Sequence, residues 1–127
     1  MAKKSFFEMM AEKNTDETKE VIVSNRYKDL PFKIRAVTND EYFQGKTRFT
    51  KDNSFDAKGF MYYLIKECTI EPNFKDATEL ANAKVVKPEQ MIDIYLRAGE
   101  IDRLSTSIIE FSGFGKIEEV EQEIENF

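Results

Sequence analysis

The sequence contains no histidine and a single cysteine, Cys68. The absence of histidine removes the commonest general base and the commonest metal ligand. With one cysteine and no histidine, neither a Cys/His pair nor a Ser/His/Asp triad can form, and an internal disulfide is impossible. Cys68 lies on an apolar stripe, where a small buried side chain is expected rather than a reactive thiol. We therefore predict no catalytic residue, no cofactor and no metal site.

Glycine-rich and acidic binding motifs are also missing. The closest match to a phosphate loop, Gly113-Phe114-Gly115, has neither P-loop spacing nor a following Lys-Ser/Thr. The stretch Asp52-Asn53-Ser54 lacks the glycine and the terminal glutamate of a calcium loop. The remaining carboxylates are expected to be solvated surface charges, which is the usual environment of Asp and Glu. No pair of residues has an evident division of catalytic labour.

Long apolar runs are absent as well. No stretch of about 18 apolar residues occurs, so the sequence predicts no membrane-spanning helix and no membrane partner. The first residues, MAKKSFFEMMAEK, hold only a short apolar cluster interrupted by Glu8, which is unlike a secretory signal. We expect an intracellular protein.

The composition is that of one small soluble domain over residues 1–127, with 41% hydrophobic and 34% charged residues. The net charge of −5 is unevenly distributed. Residues 1–66 carry 13 basic and 10 acidic groups, net +3, whereas residues 67–127 carry 6 basic and 14 acidic groups, net −8. This distribution favours self-association or a mixed-charge protein partner over nucleic acid, which requires a strongly basic face.

The segment from Ser54 to Phe74 predicts the central helix of the domain. Ser54 and Asp56 are candidate N-caps, and Pro72 marks the end of the segment. The apolar residues recur at spacings of three and four, which is the pattern of one buried helix face. These residues are Phe60, Met61, Leu64, Ile65 and Cys68.

Two alternating segments, Val21–Tyr27 and Phe32–Val37, predict a β-hairpin over about residues 21–37, with a turn at 28–31. A two-stranded hairpin is marginal by itself, so it must pack on the helices or gain further strands. Its charged residues, Arg26, Lys33 and Arg35, are compatible with two roles. They can protect an exposed strand edge, or they can form a basic contact surface.

Residues 5–12 predict a short helix, with Ser5 and Glu8 as a capping box. Eight residues do not hold a helix in water unaided. The segment therefore either docks on its own domain or binds another chain, and either contact would bury its apolar residues. Residues 13–20 predict a polar linker with nothing to bury.

Thr38 and Glu41 predict a second capping box after the hairpin, at the start of a helix that Gly45 should keep short or kinked. Further along, Asp76 is expected to cap a brief helical turn that reaches Leu80.

Two longer helices are expected near the end of the core. The first begins at residues 87–89 with proline at its first position and ends at Gly99, and the second ends at Gly113. Their apolar stripes are Met91, Ile92, Tyr95 and Leu96 in the first helix, and Ile101, Leu104, Ile108 and Phe111 in the second.

The last predicted element is an acidic amphipathic helix over residues 116–127, with five glutamates around one apolar side. The prediction is therefore an α+β fold that is mainly α. A helical core of about four to five helices carries an N-terminal hairpin and an amphipathic C-terminal helix. Residues 1–20 form a short helix and linker, residues 21–115 the core, and residues 116–127 the tail.

The order of these segments resembles the XkdN family of phage tail assembly chaperones, which serve contractile-tailed phages and phage-like prophage particles. The resemblance covers roughly residues 5–115. The segments that carry it are VSNRYKD (23–29), FKIRA (32–36), ECTIEPNF (67–74), DATEL (76–80) and LRAGE (96–100), followed by a helix closed by Gly113-Phe114.

The resemblance implies a non-catalytic protein of the host cell cytoplasm. It would bind the tape measure protein, help tail tube protein subunits polymerise around it, and be absent from the mature particle. Two alternatives remain at this stage. One is a small nucleic-acid-binding regulator that acts through Arg26, Lys28, Lys33 and Arg35, and the other is a structural tail component.

A chaperone of this kind needs apolar surface that can be covered by a partner. We predict that both ends of the chain and the hairpin provide it, since Met and Phe adapt to irregular grooves. The predicted partner-binding residues are Phe6, Phe7, Met9, Met10, Arg26, Tyr27, Lys33, Arg35, Ile117, Val120, Ile124 and Phe127.

Overall fold

The computed structural model describes residues 3–14 and 18–114. The fold is α+β and mainly α, as predicted, with a small antiparallel sheet near the N-terminus. The helices are α1 (Phe6–Lys13), α2 (Asn39–Arg48), α3 (Ala57–Cys68), α4 (Ala77–Asn82), α5 (Pro88–Tyr95) and α6 (Ala98–Phe111). The strands are β1 (Thr18–Val21), β2 (Phe32–Arg35), β3 (Thr50–Lys51), β4 (Ser54–Phe55) and β5 (Thr69–Glu71).

The main sheet has three strands in the order β1-β2-β5, all antiparallel to their neighbours. Val21 pairs with Phe32 at one end of the β1-β2 hairpin, and Thr18 pairs with Arg35 at the other. Along β2, Phe32 and Ile34 are buried while Lys33 is exposed, because alternate side chains point to opposite faces of a sheet. The third strand, β5, follows α3 directly and was not predicted from the sequence.

The predicted hairpin is present, but its first strand was assigned incorrectly. Thr18–Val21 form β1, whereas Asn25–Tyr27 form a short 3-10 helix instead of continuing the strand. Residues 18–20, predicted as linker, stay exposed yet pair with β2, which satisfies their backbone groups without burial. Arg26 and Tyr27 bind groups at the end of α5 and the start of α6, and these distant contacts override the local alternation.

The core is built around α3 and α6, with the sheet and α5 packed beside them. Asp56 caps α3, as predicted, because its Oδ1 accepts a hydrogen bond from Gly59 N at 2.9 Å. Ser54, the other candidate cap, lies in β4. The predicted stripe of α3 is buried except for Met61, which is half-buried. The fully buried side chains include Ile34, Leu64, Ile65, Ile92, Leu104 and Ile108.

Helix α2 begins with the predicted capping box, in which Glu41 N donates to Thr38 Oγ1 and Thr38 N donates to Glu41 Oε1. Gly45 does not interrupt the helix, which continues for ten residues to Arg48. A Cβ at position 45 would lie 2.7 Å from ring carbons of both Phe60 and Tyr63. Glycine is therefore needed because α2 lies directly against the aromatic side chains of α3.

Pro88 occupies the first turn of α5, as predicted, but the prediction that Gly99 ends this helix was wrong. The helix ends at Tyr95, and Gly99 lies in the first turn of α6. The chain turns earlier because Leu96 and Arg97 are extended, which lets Leu96 enter the core. Gly113 follows α6 with φ +96°, in the left-handed region, as its predicted role as a helix stop requires.

Candidate partner-binding surfaces

Helix α1 is exposed on all sides in the described part of the chain. Its start is capped locally, since Glu8 N donates to Ser5 Oγ at 3.1 Å, and Lys4 forms an ion pair with Glu12 along the helix. None of its residues is buried. Phe6 and Phe7 are 72% and 78% exposed, so this helix presents an apolar surface that no group within residues 3–14 and 18–114 covers. Met9 and Met10 are exposed beside them.

Arg26, predicted as a contact residue, is engaged by Glu100 in the first turn of α6. Its Nε donates to Glu100 Oε2 at 2.7 Å and its Nη2 donates to Oε1 at 2.6 Å. Glu100 is only 4% exposed, and Ser24 Oγ and Arg97 N also donate to its carboxylate. The hydrogen bonds from Arg26 are the main reason that the pKa of Glu100 falls to about 2.

Arg35 is held in a second ion pair, with Glu41 of α2. Two parallel hydrogen bonds of 2.8 and 2.7 Å join the guanidinium and the carboxylate, and Arg35 Nη2 also donates to Glu67 O. Arg35 lowers the pKa of Glu41 to about 2. Because Arg26 and Arg35 are both neutralised by internal carboxylates, two of the four cations proposed for nucleic-acid contact are already engaged.

The other two predicted hairpin residues differ in exposure. Tyr27 is half-buried, and its hydroxyl donates to Tyr95 O at 2.6 Å. Lys33 is exposed on β2, in register with Glu20 on β1 and with Glu71 on β5. The structure thus brings Arg26 and Tyr27 together at the end of α5. Lys33 and Arg35 lie along β2, and Phe6, Phe7, Met9 and Met10 belong to the separate helix α1.

A groove of about 600 Å³ lies between the loop that joins β1 and β2, the segment after β5, and helices α4 and α5. We call it the acidic groove. Its apolar lining consists of Tyr27, Leu30, Pro31, Phe32, Pro72, Phe74, Met91 and Tyr95, and its carboxylates are Glu20, Asp29, Glu71, Asp76 and Glu79. Asn73 completes the lining, and among the described residues none that lines the groove is basic. Leu30 is 63% exposed at its edge.

Sequence reasoning missed both the burial of Glu100 and the acidic groove. Glu100 stands three residues after Arg97, at the spacing of a capping box, and its carboxylate accepts from Arg97 N at 2.7 Å. That spacing was available in the sequence as a helix-start signal. The groove gave no comparable signal, because four separate segments contribute to it.

Residues 116–127 lie outside the described part of the chain, so the four predicted contact residues there, Ile117, Val120, Ile124 and Phe127, are not located. Within residues 3–14 and 18–114, no three His, Cys, Asp or Glu side chains are grouped as metal ligands. None of the helices in these ranges combines the length and the apolar character that crossing a bilayer requires.

Comparison with known proteins agrees with this architecture. Residues 4–125 match the family model for the phage XkdN-like tail assembly chaperone protein. The chain is also similar in fold to the crystal structure of the protein yqbn, with a TM-score of 0.66 and 24% sequence identity. The alignment covers 90% of this chain and 98% of that one. No curated protein matches the chain. Since the family model spans nearly the whole sequence, the chain belongs to the family of phage XkdN-like tail assembly chaperones.

Proposed function

We propose that the protein binds the tape measure protein in the host cell cytoplasm and keeps that long helical chain soluble. It helps tail tube subunits assemble around the tape measure protein and then leaves, so that the mature particle does not contain it. The protein acts by covering and releasing apolar surface, without catalysis. Family membership supports a role in tail assembly, and the specific partners are part of the proposal.

The observation that carries this proposal is the exposure of α1. An eight-residue helix with two phenylalanines more than 70% exposed is costly for a protein without a partner. An amphipathic helix of this kind binds by inserting large side chains into a groove or between the helices of another chain. Removing these side chains should leave the core intact, because none of them is buried.

The test is co-expression of the chain with the tape measure protein of the same phage or prophage. We expect the intact chain to raise the soluble fraction of the tape measure protein and to co-purify with it. The double variant Phe6→Ser/Phe7→Ser should lose both effects. The matched control, Glu8→Gln/Glu12→Gln, changes the same helix without removing apolar surface and should keep them. Full recovery of the complex with the serine variant would rule out α1 as the contact.

Departure from the particle is tested separately, by quantitative mass spectrometry of purified tails or particles. We expect the tape measure and tube proteins at stoichiometric levels and this chain at trace levels. A fixed stoichiometric amount of the chain in finished particles would contradict the proposal and identify a structural tail component instead.

A further inference from the structure

The acidic groove and helix α1 are complementary in chemistry, although α1 does not lie in the groove of its own chain. We propose that α1 of one copy of the protein docks in the acidic groove of a second copy, and that the exchange is reciprocal. This goes beyond the binding of the tape measure protein. It states where α1 resides before any such partner is present.

The first argument is the match of apolar surfaces. The groove has eight apolar or aromatic lining residues and a volume of about 600 Å³, which is within the range of about 300–1,000 Å³ of ligand-binding clefts. Helix α1 is about 12 Å long at 1.5 Å per residue. It offers two phenylalanines and two methionines, which are the side-chain types that fill an irregular apolar groove best. In the single copy α1 is exposed, and so are Leu30, Pro31, Pro72 and Tyr95 of the groove, whereas Phe32, Phe74 and Met91 are buried in the core.

The second argument is charge. Successive residues of a helix are rotated by about 100°, so Phe6 and Met10 share one face of α1 with Lys13, and Glu8 and Glu12 fall on the opposite face. With the apolar face in the groove, Lys13 at one end and Lys3 at the other would meet the carboxylate rim, while both glutamates would face water.

Several cations are sequence neighbours of residues that line the groove, and its lining holds five carboxylates. These cations are Lys19, Arg26, Lys28, Lys33 and Lys75, of which Arg26 is bound by Glu100. Lys33 stands between Glu20 and Glu71 in the strand register and offsets part of their charge. Lys75, which follows the lining residue Asn73, is directed to Glu67 instead, at 3.2 Å. Asp29, Asp76 and Glu79 remain on the rim beside Leu30 and Phe74. A partner with an apolar face bordered by lysines is consequently favoured over a neutral or acidic one.

The chain path favours a second copy over the same chain. The groove reaches the end of the hairpin where Val21 pairs with Phe32, since Phe32 and the turn before it line the groove. The chain enters β1 at the opposite end, where Thr18 pairs with Arg35. Helix α1 therefore joins β1 at the end away from Phe32, although Glu20, two residues further along the strand, lines the groove. A twofold exchange buries both helices at once, as isologous interfaces do.

The expected dimer is weak. Each contact involves one short helix, less than the roughly 800 Å² per partner of a standard stable interface. Two such contacts in one dimer reinforce each other because the second forms within an already joined pair. Weak association also suits a chaperone, because a stronger partner can displace α1 from the groove.

The test is sedimentation velocity of the purified full-length chain over a wide concentration range. We expect a concentration-dependent monomer–dimer equilibrium that weakens as salt rises, since lysine–carboxylate contacts are screened. Phe6→Ser/Phe7→Ser should raise the dimer Kd by at least about tenfold, and so should Asp29→Lys/Glu79→Lys in the groove. Glu8→Gln/Glu12→Gln should leave the Kd within about twofold, because those side chains face water in the proposed dimer. Far-ultraviolet circular dichroism of each variant checks that the fold is retained.

A labelled synthetic peptide of residues 1–14 tests whether the acidic groove is the site that binds α1. It should bind the full-length Phe6→Ser/Phe7→Ser variant, whose grooves are free, and should not bind that variant once Asp29→Lys/Glu79→Lys is added. A wild-type chain that stays monomeric at all concentrations would overturn the proposal. A dimer unaffected by either double variant would overturn it equally. These measurements use the purified chain alone. Absence of the dimer would therefore not contradict tape measure binding, which the co-expression experiment tests.

Discussion

The carboxylate of Glu100 and the guanidinium of Arg26 are 74 residues apart in the sequence and are joined by hydrogen bonds of 2.6 and 2.7 Å. Glu100 accepts from Ser24 and from Arg97 N as well, so both of its oxygens are occupied. The pair fastens the segment after β1 to the start of α6. Because the carboxylate is buried, its charge is tolerated only while these donors are in place.

The first prediction concerns this carboxylate. Glu100→Gln removes the negative charge opposite Arg26 and replaces one acceptor oxygen with a donor that faces other donors. We expect a loss of about 1–3 kcal/mol in the free energy of unfolding, measured by urea denaturation. Glu110→Gln, on an exposed position of the same helix, is the matched control and should change stability by less than about 0.5 kcal/mol. Equal stability of the two variants would show that the Arg26–Glu100 pair contributes nothing.

The second prediction is that the folded state loses stability in acid. The folded-state pKa values of Glu100 and Glu41 are lowered from 4.5 to about 2, so these groups bind protons more readily when the chain is unfolded. Their contribution is complete above the unfolded pKa and is lost as the pH falls from about 4.5 toward about 2. We expect the thermal midpoint to fall steeply across this interval in scanning calorimetry.

A double variant controls for the other carboxylates that titrate in this pH range. In the double variant Glu41→Gln/Glu100→Gln, neither side chain titrates, so the midpoint should fall less between about pH 4.5 and pH 2 than in the wild type. Parallel curves for the two proteins would assign the acid sensitivity to other carboxylates.

The third prediction uses the two glycines in helices α2 and α6. Gly45→Ala should destabilise the protein by about 1–3 kcal/mol, because the new Cβ would lie 2.7 Å from rings of Phe60 and Tyr63. Gly99→Ala places its Cβ in open space and should stabilise by roughly 0.4–1 kcal/mol. Opposite signs in chemical denaturation are expected, although helix propensity alone favours alanine at both positions. Stabilisation by both changes would refute the close approach of α2 to α3.

The fourth prediction is that Cys68 is inert in the native protein. The thiol is fully buried on α3, and removal from water raises its pKa to about 12. A thiol reagent such as dithionitrobenzoate should react at a rate limited by opening of the structure at pH 8. Full reaction is expected within the mixing time in denaturant. Rapid labelling of the folded chain would mean that the α3 face is accessible.

The parts of the fold that the sequence revealed are those governed by neighbours three or four residues away. The stripes of α3 and α6, the Thr38–Glu41 capping box and the Asp56 cap are local patterns, and the structure contains them. The end of the first strand was misassigned because Arg26 and Tyr27 respond to groups about 70 residues away. No local pattern encodes such a contact.

The candidate sites likewise include one that local spacing predicts and one that forms only from distant segments. The apolar face of α1 was visible from its spacing, and its lack of burial agrees with one of the two alternatives open at the sequence level. The acidic groove could not be anticipated, because Asp29, Glu71 and Glu79 meet only after the hairpin, β5 and α4 have packed together. Whether α1 and the hairpin are the contact surfaces stays a prediction until the variants above are measured.

The long-range bonds to α6 have a consequence for synthesis on the ribosome. Arg103 Nη1 donates to Val23 O at 2.5 Å across 80 residues, and Glu100 holds Ser24 and Arg26 in the same region. At roughly 5–20 residues per second, the emerging hairpin waits on the order of 4–16 s for the helix that completes it. During that interval Val21, Phe32 and Ile34 have no α6 to cover them, so the nascent chain is itself a candidate for protection by the chaperones of its host.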